Sequence, residues 1–330
     1  MMWLLNHHPS LLMGKAYRKR AQCRAKSNST VSVQTSSALI LQTDGNENSP
    51  DSKKIWVSGT SLMRCQTCNI FSRQPNTVGV IGGVSVLSTL IFLEKLVWWS
   101  SRNGEECLPF VVCSDPVLSK QLSFHSPLHA PKIKDAQIQL NHILIIENLL
   151  HKRAFLEQSG AHCLVMPCHL SHAWHSEISE GCSLPFLHVG DCVAMELKKA
   201  KLKPLEAGSN VRIGVLATDA ASIASCYQDK LSSQGFEVVV LDRESQEHTI
   251  IPAMEALNRR DREGARNLLR IAIQVLLVRA VNFVILACDE MQGLLPHNDP
   301  LLKKCIDPMD ALARSTIKWA KSTPKLSKRI

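Results

Sequence analysis

Short runs of Val, Ile and Leu alternate with longer amphipathic stretches from Thr77 onward. The short runs have the length and the β-branched composition of buried strands, as in "TVGVIGG", "LPFVVCSD" and "GFEVVVLD". The longer stretches carry apolar residues at helical spacing, for example over 141–159 and 267–278. This alternation predicts an α/β fold in which helices flank a mainly parallel sheet.

The same plan occurs twice along the chain. "VRIGVLAT", which spans 211–218, resembles the opening "TVGVIGGV", and "VNFVILAC" in the second half resembles "AHCLVMPC" in the first. Such an internal repeat predicts two pseudo-symmetric lobes with a cleft between them. We expect the first lobe to span 77–205, completed by 305–330, and the second lobe to span 206–304.

The positive charge of the chain is concentrated near its N-terminus. The net charge is +9, but residues 1–43 hold six basic side chains and no acidic one, so the rest carries only +3. That remainder does not indicate a nucleic-acid partner. A basic leader rich in Ser and Thr is typical of an organellar transit peptide. We therefore predict a transit peptide and disordered linker over 1–76 and a chloroplast location, with mitochondrion or cytoplasm as the alternative.

Twelve cysteines are scattered through the chain rather than grouped as a disulfide framework. This usage predicts free thiols. Cys65-x-x-Cys68 has the spacing of half a zinc or redox site, but no second pair accompanies it at a suitable distance. We interpret these two cysteines as incidental.

The most apolar segment, Val78–Leu93, is uncharged over sixteen residues. A membrane span needs about 20. The Gly82-Gly83 pair within the segment, and the charged Glu94-Lys95 after it, favour a buried strand, a tight turn and a helix. We therefore predict no membrane partner.

Two cysteines end strands that occupy corresponding places in the two predicted lobes. Cys168 ends "AHCLVMPC" and Cys288 ends "VNFVILAC". Ligands of open parallel sheets bind beyond the carboxyl ends of the strands, so two facing lobes would bring both thiols to one cleft. Because a thiol has an ordinary pKa of about 8.5, it serves as an acid or a base near neutral pH. Two thiols on opposite faces of a carbon acid can invert a stereocentre without a cofactor. The alternative is a pair of ordinary buried cysteines.

The stretch "MPCHLSHAWH" permits a second interpretation. Cys and His are ligands that zinc prefers, and His169, His172 and His175 follow Cys168 at spacings of three. However, His175 lies two helical turns from Cys168, and we expect it at the surface. We therefore predict neither a metal nor a cofactor.

Together these motifs resemble the aspartate/glutamate racemase family, which consists of cofactor-independent amino-acid racemases built from two α/β lobes. The resemblance runs from about Val78 to about Ala320 and rests on "GVIGGVSVLST", "MPCHLSH", "GVLAT", "ILACDEM" and "IDPMDALA". It implies that Cys168 and Cys288 are the two acid/base thiols. It also implies that the partner is a small-molecule amino acid, and it leaves a homodimer open.

The resemblance further implies roles for residues around the thiols. The implied substrate-binding positions are Gly82, Gly83, Ser85, His169, Thr218 and Asp289, and the implied supporting positions are His172 and Glu290.

The chain departs from the family pattern at His169-Leu170, at Asp289 and in the loop "DAAS" after Thr218. Leu170 stands where the family has a hydroxyl residue, so a hydrogen-bond donor worth about 0.5 to 3 kcal/mol is missing. Asp289 stands where the family has Thr, and its charge would disfavour a thiolate at Cys288 and repel an anionic substrate. We predict an amino-acid racemase or epimerase with an aspartate/glutamate-like substrate. The alternatives are a scaffold that binds a small molecule or a protein without turnover, and chemistry on a related carbon acid.

Overall fold

Two four-stranded parallel sheets form the framework of the protein. The computed structural model describes residues 74–102, 107–116, 135–218 and 220–323. The strand order is β2-β1-β3-β4 in the first sheet and β6-β5-β7-β8 in the second. The strands are β1 Val78–Ile81, β2 Phe110–Cys113, β3 Cys163–Val165, β4 Phe186–Leu187, β5 Val211–Leu216, β6 Phe236–Val240, β7 Phe283–Leu286 and β8 Cys305–Ile306. The matching orders confirm the predicted α/β fold with two pseudo-symmetric lobes.

Helices flank both sheets. They are α1 Val86–Ser100, α2 Asp135–Gln158, α3 His175–Ser179, α4 Val189–Lys199, α5 Ala220–Ser232, α6 Arg243–His248, α7 Ile250–Asn258, α8 Arg262–Val278 and α9 Pro308–Ser322. Short 3₁₀ helices span Leu170–Trp174, Asp289–Met291 and Pro300–Lys304. The helices predicted over 141–159 and 267–278 correspond to α2 and α8, and both begin earlier than predicted. The start of α8 is set by Asp261, whose side chain accepts a hydrogen bond from the Gly264 amide at 2.8 Å.

The parallel pairing places the loops that carry the candidate site residues at one edge of each sheet. In the first sheet Val80 of β1 is in register with Val165 of β3, and in the second sheet Val215 of β5 is in register with Ile285 of β7. The carboxyl ends of neighbouring parallel strands meet at the same edge. The loop after β1 therefore lies beside the loop after β3, and the loop after β5 lies beside the loop after β7.

One apolar core spans the two lobes. It contains Val80 of β1, Ile213 of β5, Ile285 of β7 and Met309 of α9, all of them buried. The last helix, α9, packs against α1 and α4 of the first lobe. Since burial of apolar side chains is the dominant favourable contribution to folding, the two lobes are not independent in stability.

A buried ion pair fastens α9 to α1. Lys95 of α1 is 1% exposed, and its Nζ lies 2.6 Å from Asp307 Oδ2 and 3.3 Å from Asp310 Oδ1. Burial alone would lower the pKa of Lys95, but the two carboxylates raise it above its ordinary value, so the ammonium stays charged. Asp307 also caps α9 by accepting a hydrogen bond from the Met309 amide at 2.9 Å.

Two strands were not predicted from the sequence. β4 and β8 contain two residues each, which is too short for an alternating pattern to be recognised. Because β8 pairs with β7, the second sheet reaches Ile306, whereas the predicted second lobe ends at residue 304.

The segment Val78–Leu93 contributes β1, a glycine turn and the first half of α1, as its composition predicted. Within the described residues, the structure contains no helix with the length and apolarity of a membrane span. The predicted leader and Cys65-x-x-Cys68 lie outside the described residues.

Candidate active site

The loop after β1 leads directly into α1 and contacts Cys168. Ser85 caps α1, and its side chain accepts a hydrogen bond from the Ser88 amide at 3.2 Å. The Ser85 amide in turn donates to Cys168 Sγ over 3.3 Å. Backbone N–H groups at a helix N-terminus stabilise negative charge on an acceptor. Cys168 therefore lies where a donor is directed at its sulfur.

Close packing explains the two glycines of this loop. A Cβ atom on Gly83 would lie 2.3 Å from Cys168 Cβ and 2.3 Å from Ser171 Oγ, and one on Gly82 would lie 2.5 Å from Ser114 Cβ. Ser171 fixes the loop further by accepting a hydrogen bond from the Val84 amide at 3.1 Å. Only a residue without a side chain allows the backbone to approach Cys168 this closely.

Cys288 lies at the corresponding place in the second lobe, just beyond β7. Its side chain is buried, and its Sγ donates to Glu290 Oε2 over 3.3 Å. Burial raises the pKa of the Cys288 thiol well above its ordinary value, and the Glu290 carboxylate raises it further. Asp289 acts in the same direction, as expected from the sequence. At neutral pH Cys288 is therefore a protonated thiol, suited to donate a proton.

His169 and Asp289, which follow the two cysteines, meet across the lobes. His169 Nε2 lies 3.6 Å from Asp289 Oδ1, an ion-pair distance longer than a hydrogen bond. His169 Nδ1 lies 3.1 Å from the buried Tyr227 hydroxyl, and Ser88 Oγ donates a short hydrogen bond to Asp289 Oδ2. Burial alone would raise the pKa of Asp289, but His169 and the Ser88 hydroxyl hold it below its ordinary value. Asp289 is therefore a carboxylate with partners inside the protein.

The first turn of α1 thus joins both cysteine loops. Ser85 contacts Cys168, and Ser88 contacts Asp289, the neighbour of Cys288. The strands that end before Cys168 and Cys288, β3 and β7, belong to different sheets and are not paired with each other. The predicted residues of the β1 loop and of the two cysteine motifs are therefore gathered around one helix N-terminus.

Two other positions that the resemblance implied are Thr218 and His172. Thr218 is two residues beyond the end of β5 and is half-buried. His172 is buried, and because a carbonyl can only accept, its Nε2–H donates to Met166 O at 2.7 Å. His172 therefore supports the backbone that leads into Cys168.

The expectation that His175 is a surface residue is wrong. Its ring is half-buried against Phe186 and His188, with centroid distances of 4.5 and 4.7 Å. Among the described residues, the potential metal-ligating atoms that come together belong to His172, His188 and Cys226. They do not belong to the set that begins with Cys168, because the chain beyond Cys168 carries the later histidines towards α4 and α5.

Lys152 of α2 is a functional candidate that was missed from the sequence. It is 5% exposed, and its Nζ donates to Gly82 O over 2.7 Å. Burial lowers the pKa of Lys152, and the residue is near enough to Cys168 for the two charges to interact. The available signal was its position between Leu149 and Leu156 on the apolar stripe of α2, where a lysine needs a buried partner.

Replacing Glu290 with Gln should move the ionisation of Cys288 to lower pH. The substitution removes a carboxylate that raises the pKa of the thiol, so the thiolate forms more readily. The measurement is the pH dependence of alkylation at Cys288 by iodoacetamide, followed by the mass of its peptide. Glu244→Gln on α6 is the control and should leave the midpoint unchanged. Equal midpoints for Glu290→Gln and the parent would contradict the assignment.

Comparison with known proteins identifies the family of the chain. The family model described as Asp/Glu/Hydantoin racemase matches residues 81–316. The broad specificity amino-acid racemase RacX of Bacillus subtilis (strain 168) is 22% identical over 241 residues, which cover 73% of this chain and 96% of that protein.

Two solved structures share the fold. An aspartate racemase homologue from Pyrococcus horikoshii OT3 matches with a TM-score of 0.60 and 20% identity, over 75% of this chain and all of that one. The aspartate racemase of Picrophilus torridus matches with a TM-score of 0.54 and 22% identity, over 76% of this chain and 96% of that one. With a family match that spans both lobes and both cysteine motifs, the chain belongs to the Asp/Glu/hydantoin racemase family.

Proposed function

We propose that this protein racemises or epimerises an amino acid by exchanging its α-proton between Cys168 and Cys288. The observation that carries the proposal is the contact of the first turn of α1 with both cysteine loops, through Ser85 on one side and Ser88 on the other. Family membership supports the reaction class, and RacX, named as a broad specificity amino-acid racemase, is a relative over both lobes.

The two thiols have different hydrogen-bond partners, and we assign them different roles. Cys168 receives the Ser85 amide at its sulfur and acts as the base that removes the α-proton. Cys288, whose pKa is raised by burial and by Glu290, acts as the acid that delivers a proton to the opposite face. In the reverse direction the roles exchange, and Glu290 is placed to accept the Cys288 proton. Each turnover removes one proton from the α-carbon and returns one, so no cofactor is required.

The substrate carboxylate is expected to lie against the loop between β1 and α1. The glycines there bring the backbone close to Cys168, and a helix N-terminus favours an anion. Lys152 holds this loop by its hydrogen bond to Gly82 O and adds positive charge nearby. These features compensate for Leu170, which offers no hydroxyl to the substrate.

The test is exchange of the α-proton with solvent. Protein incubated in D₂O with a panel of acidic, neutral and basic amino acids should incorporate deuterium at the α-carbon of at least one of them, measured by NMR. The product should also contain the opposite enantiomer by chiral chromatography. Absence of exchange throughout the panel would refute the proposal.

Asp289→Asn should change the preference for substrate charge. The carboxylate stands beside Cys288, and a unit charge at about 8 Å contributes roughly 2 kcal/mol at an effective dielectric constant near 20. Its removal should raise kcat/KM for aspartate relative to alanine by roughly 30-fold. An unchanged ratio would show that Asp289 does not face the substrate.

A binding scaffold without turnover is the second candidate. It is favoured by the contact between His169 and Asp289. These residues follow the two cysteines, and each interacts with the other rather than being left for a substrate. On this hypothesis an amino acid raises the melting temperature of the protein, whereas no α-deuterium appears.

A further inference from the structure

A cluster of imidazole and thiol groups lies between α4 and α5, outside the residues that carry the proposed reaction. His172 comes from the 3₁₀ helix after β3, His188 from the start of α4 and Cys226 from α5. One potential ligand atom of each lies within 4.8 Å of the others. The first two belong to the first lobe and the third to the second lobe, so no short sequence motif announces the cluster.

His172 has the hydrogen bonding of a metal ligand. Its Nε2–H donates to Met166 O at 2.7 Å, so Nδ1 carries the free lone pair. The residue is 4% exposed, and Nδ1 is buried without a hydrogen-bond partner. Histidines that bind metals almost always donate their other ring N–H to a carbonyl or carboxylate, which fixes the tautomer and the ring orientation. A buried imidazole nitrogen without a partner is otherwise costly.

His188 and Cys226 provide the other two atoms. His188 Nε2 lies 3.8 Å from Cys226 Sγ, and His188 Nδ1 accepts the Gly190 amide at 3.0 Å. Zinc bonds of about 2.0 to 2.3 Å in a tetrahedral site bring ligand atoms to roughly 3.3 to 3.8 Å from one another. The cluster is therefore within a small side-chain movement of that geometry. The cost is the hydrogen bond to Gly190, because His188 must present a lone pair at Nε2.

His175 adjoins the cluster without belonging to it. Its ring centroid is 4.7 Å from that of His188 and 5.6 Å from that of His172. Its Nε2 is buried without a hydrogen-bond partner. Two neighbouring rings, those of His172 and His175, thus each hold a buried nitrogen without a hydrogen-bond partner.

We propose that His172, His188 and Cys226 form a zinc site that joins the two lobes, with the fourth position directed towards His175. On binding, the Cys226 thiol loses its proton to solvent and its sulfur forms the bond to Zn²⁺, so at least one proton is released for each ion bound. The ligand Cys226 directly precedes Tyr227 in the sequence, and the Tyr227 hydroxyl contacts His169. The site is separate from Cys168 and Cys288.

The test uses untagged full-length protein carrying Cys65→Ser, Cys68→Ser, Cys168→Ser and Cys288→Ser, so that neither Cys65-x-x-Cys68 nor the cleft thiols can bind metal. After treatment with a chelator, the protein is titrated with Co²⁺ and then with Zn²⁺. We expect a thiolate-to-cobalt charge-transfer band at one equivalent, its displacement by Zn²⁺, and a higher melting temperature with Zn²⁺. In this background Cys226→Ser should abolish the band, and His172→Ala should weaken binding by roughly 100-fold or more.

Cys192→Ser is the matched control, because Cys192 is a buried thiol on the neighbouring α4. This variant should bind Co²⁺ as the parent does. The proposal is overturned if the parent shows neither the band nor a Zn²⁺-dependent melting temperature. It is also overturned if the band survives in Cys226→Ser. Should Cys226→Ser fail to fold, His172→Ala decides by the same two readouts.

Discussion

Replacing either Cys168 or Cys288 with Ser is expected to abolish racemisation while leaving the fold intact. General acid–base catalysis contributes roughly 10²- to 10⁴-fold to a rate, and a serine hydroxyl cannot substitute for a thiol because it ionises far less readily. We expect a loss of at least that size in kcat. Both side chains are buried, and serine is slightly smaller, so the effect on stability should be modest.

The two variants should differ in the exchange that remains. Each retained thiol faces one side of the α-carbon, so it can remove and return a proton on that side alone. Cys168→Ser and Cys288→Ser should therefore wash deuterium into opposite enantiomers, without interconverting them. Cys192→Ser should racemise at the parental rate. If both single variants exchange the same enantiomer, the two-thiol mechanism is wrong.

Lys95→Met is expected to destabilise the protein strongly, because Lys95 belongs to a buried ion pair. Removing one partner of a buried ion pair costs about 3 to 5 kcal/mol. Because Asp307 and Asp310 keep 15% and 24% exposure, we expect about 3 kcal/mol. For a domain of this size that corresponds to a fall in melting temperature of roughly 6 to 12 °C, measurable by calorimetry.

An exposed pair provides the matched control for Lys95. Arg243 lies 2.8 Å from Glu247, with side chains 92% and 49% exposed, and such exposed pairs contribute little to stability. Arg243→Met should therefore leave the melting temperature almost unchanged. Since the pKa of Lys95 is raised above 10.5, its stabilisation is complete below that pH and is lost as pH rises through the folded-state value. Equal effects of the two substitutions would contradict this account.

The fold was largely predictable because its signal is local. Short apolar runs and amphipathic stretches indicate strands and helices within windows of a few residues, so β1, β2, β3, β5, β6 and β7 were all predicted near their observed places. β4 and β8 were not predicted, because a strand of two residues is too short to show an alternating pattern. Their pairing is decided by neighbouring strands, which the sequence does not reveal.

The candidate site was only half predictable, for the same reason. Cys168, Cys288 and the Gly82-Gly83 turn stand in recognisable motifs. The contact between His169 and Asp289, by contrast, joins residues 120 positions apart in sequence number, and the Asp289 charge had been interpreted as an isolated repulsion. Ser88 and His169 stabilise the Asp289 carboxylate, and no local sequence pattern reveals these contacts. Lys152 was missed because its partner, a backbone carbonyl, has no sequence signature.

The two ends of helix α1 contact different parts of the protein. Its first turn holds both cysteine loops through Ser85 and Ser88, while Lys95, in its later turns, is anchored to the start of α9. A rigid helix transmits a displacement from one end to the other. On the proposed mechanism, the alignment of Cys168 and Cys288 therefore depends in part on a salt bridge more than a helical turn away. Substitutions in α9 would then change turnover without altering any residue that touches the substrate.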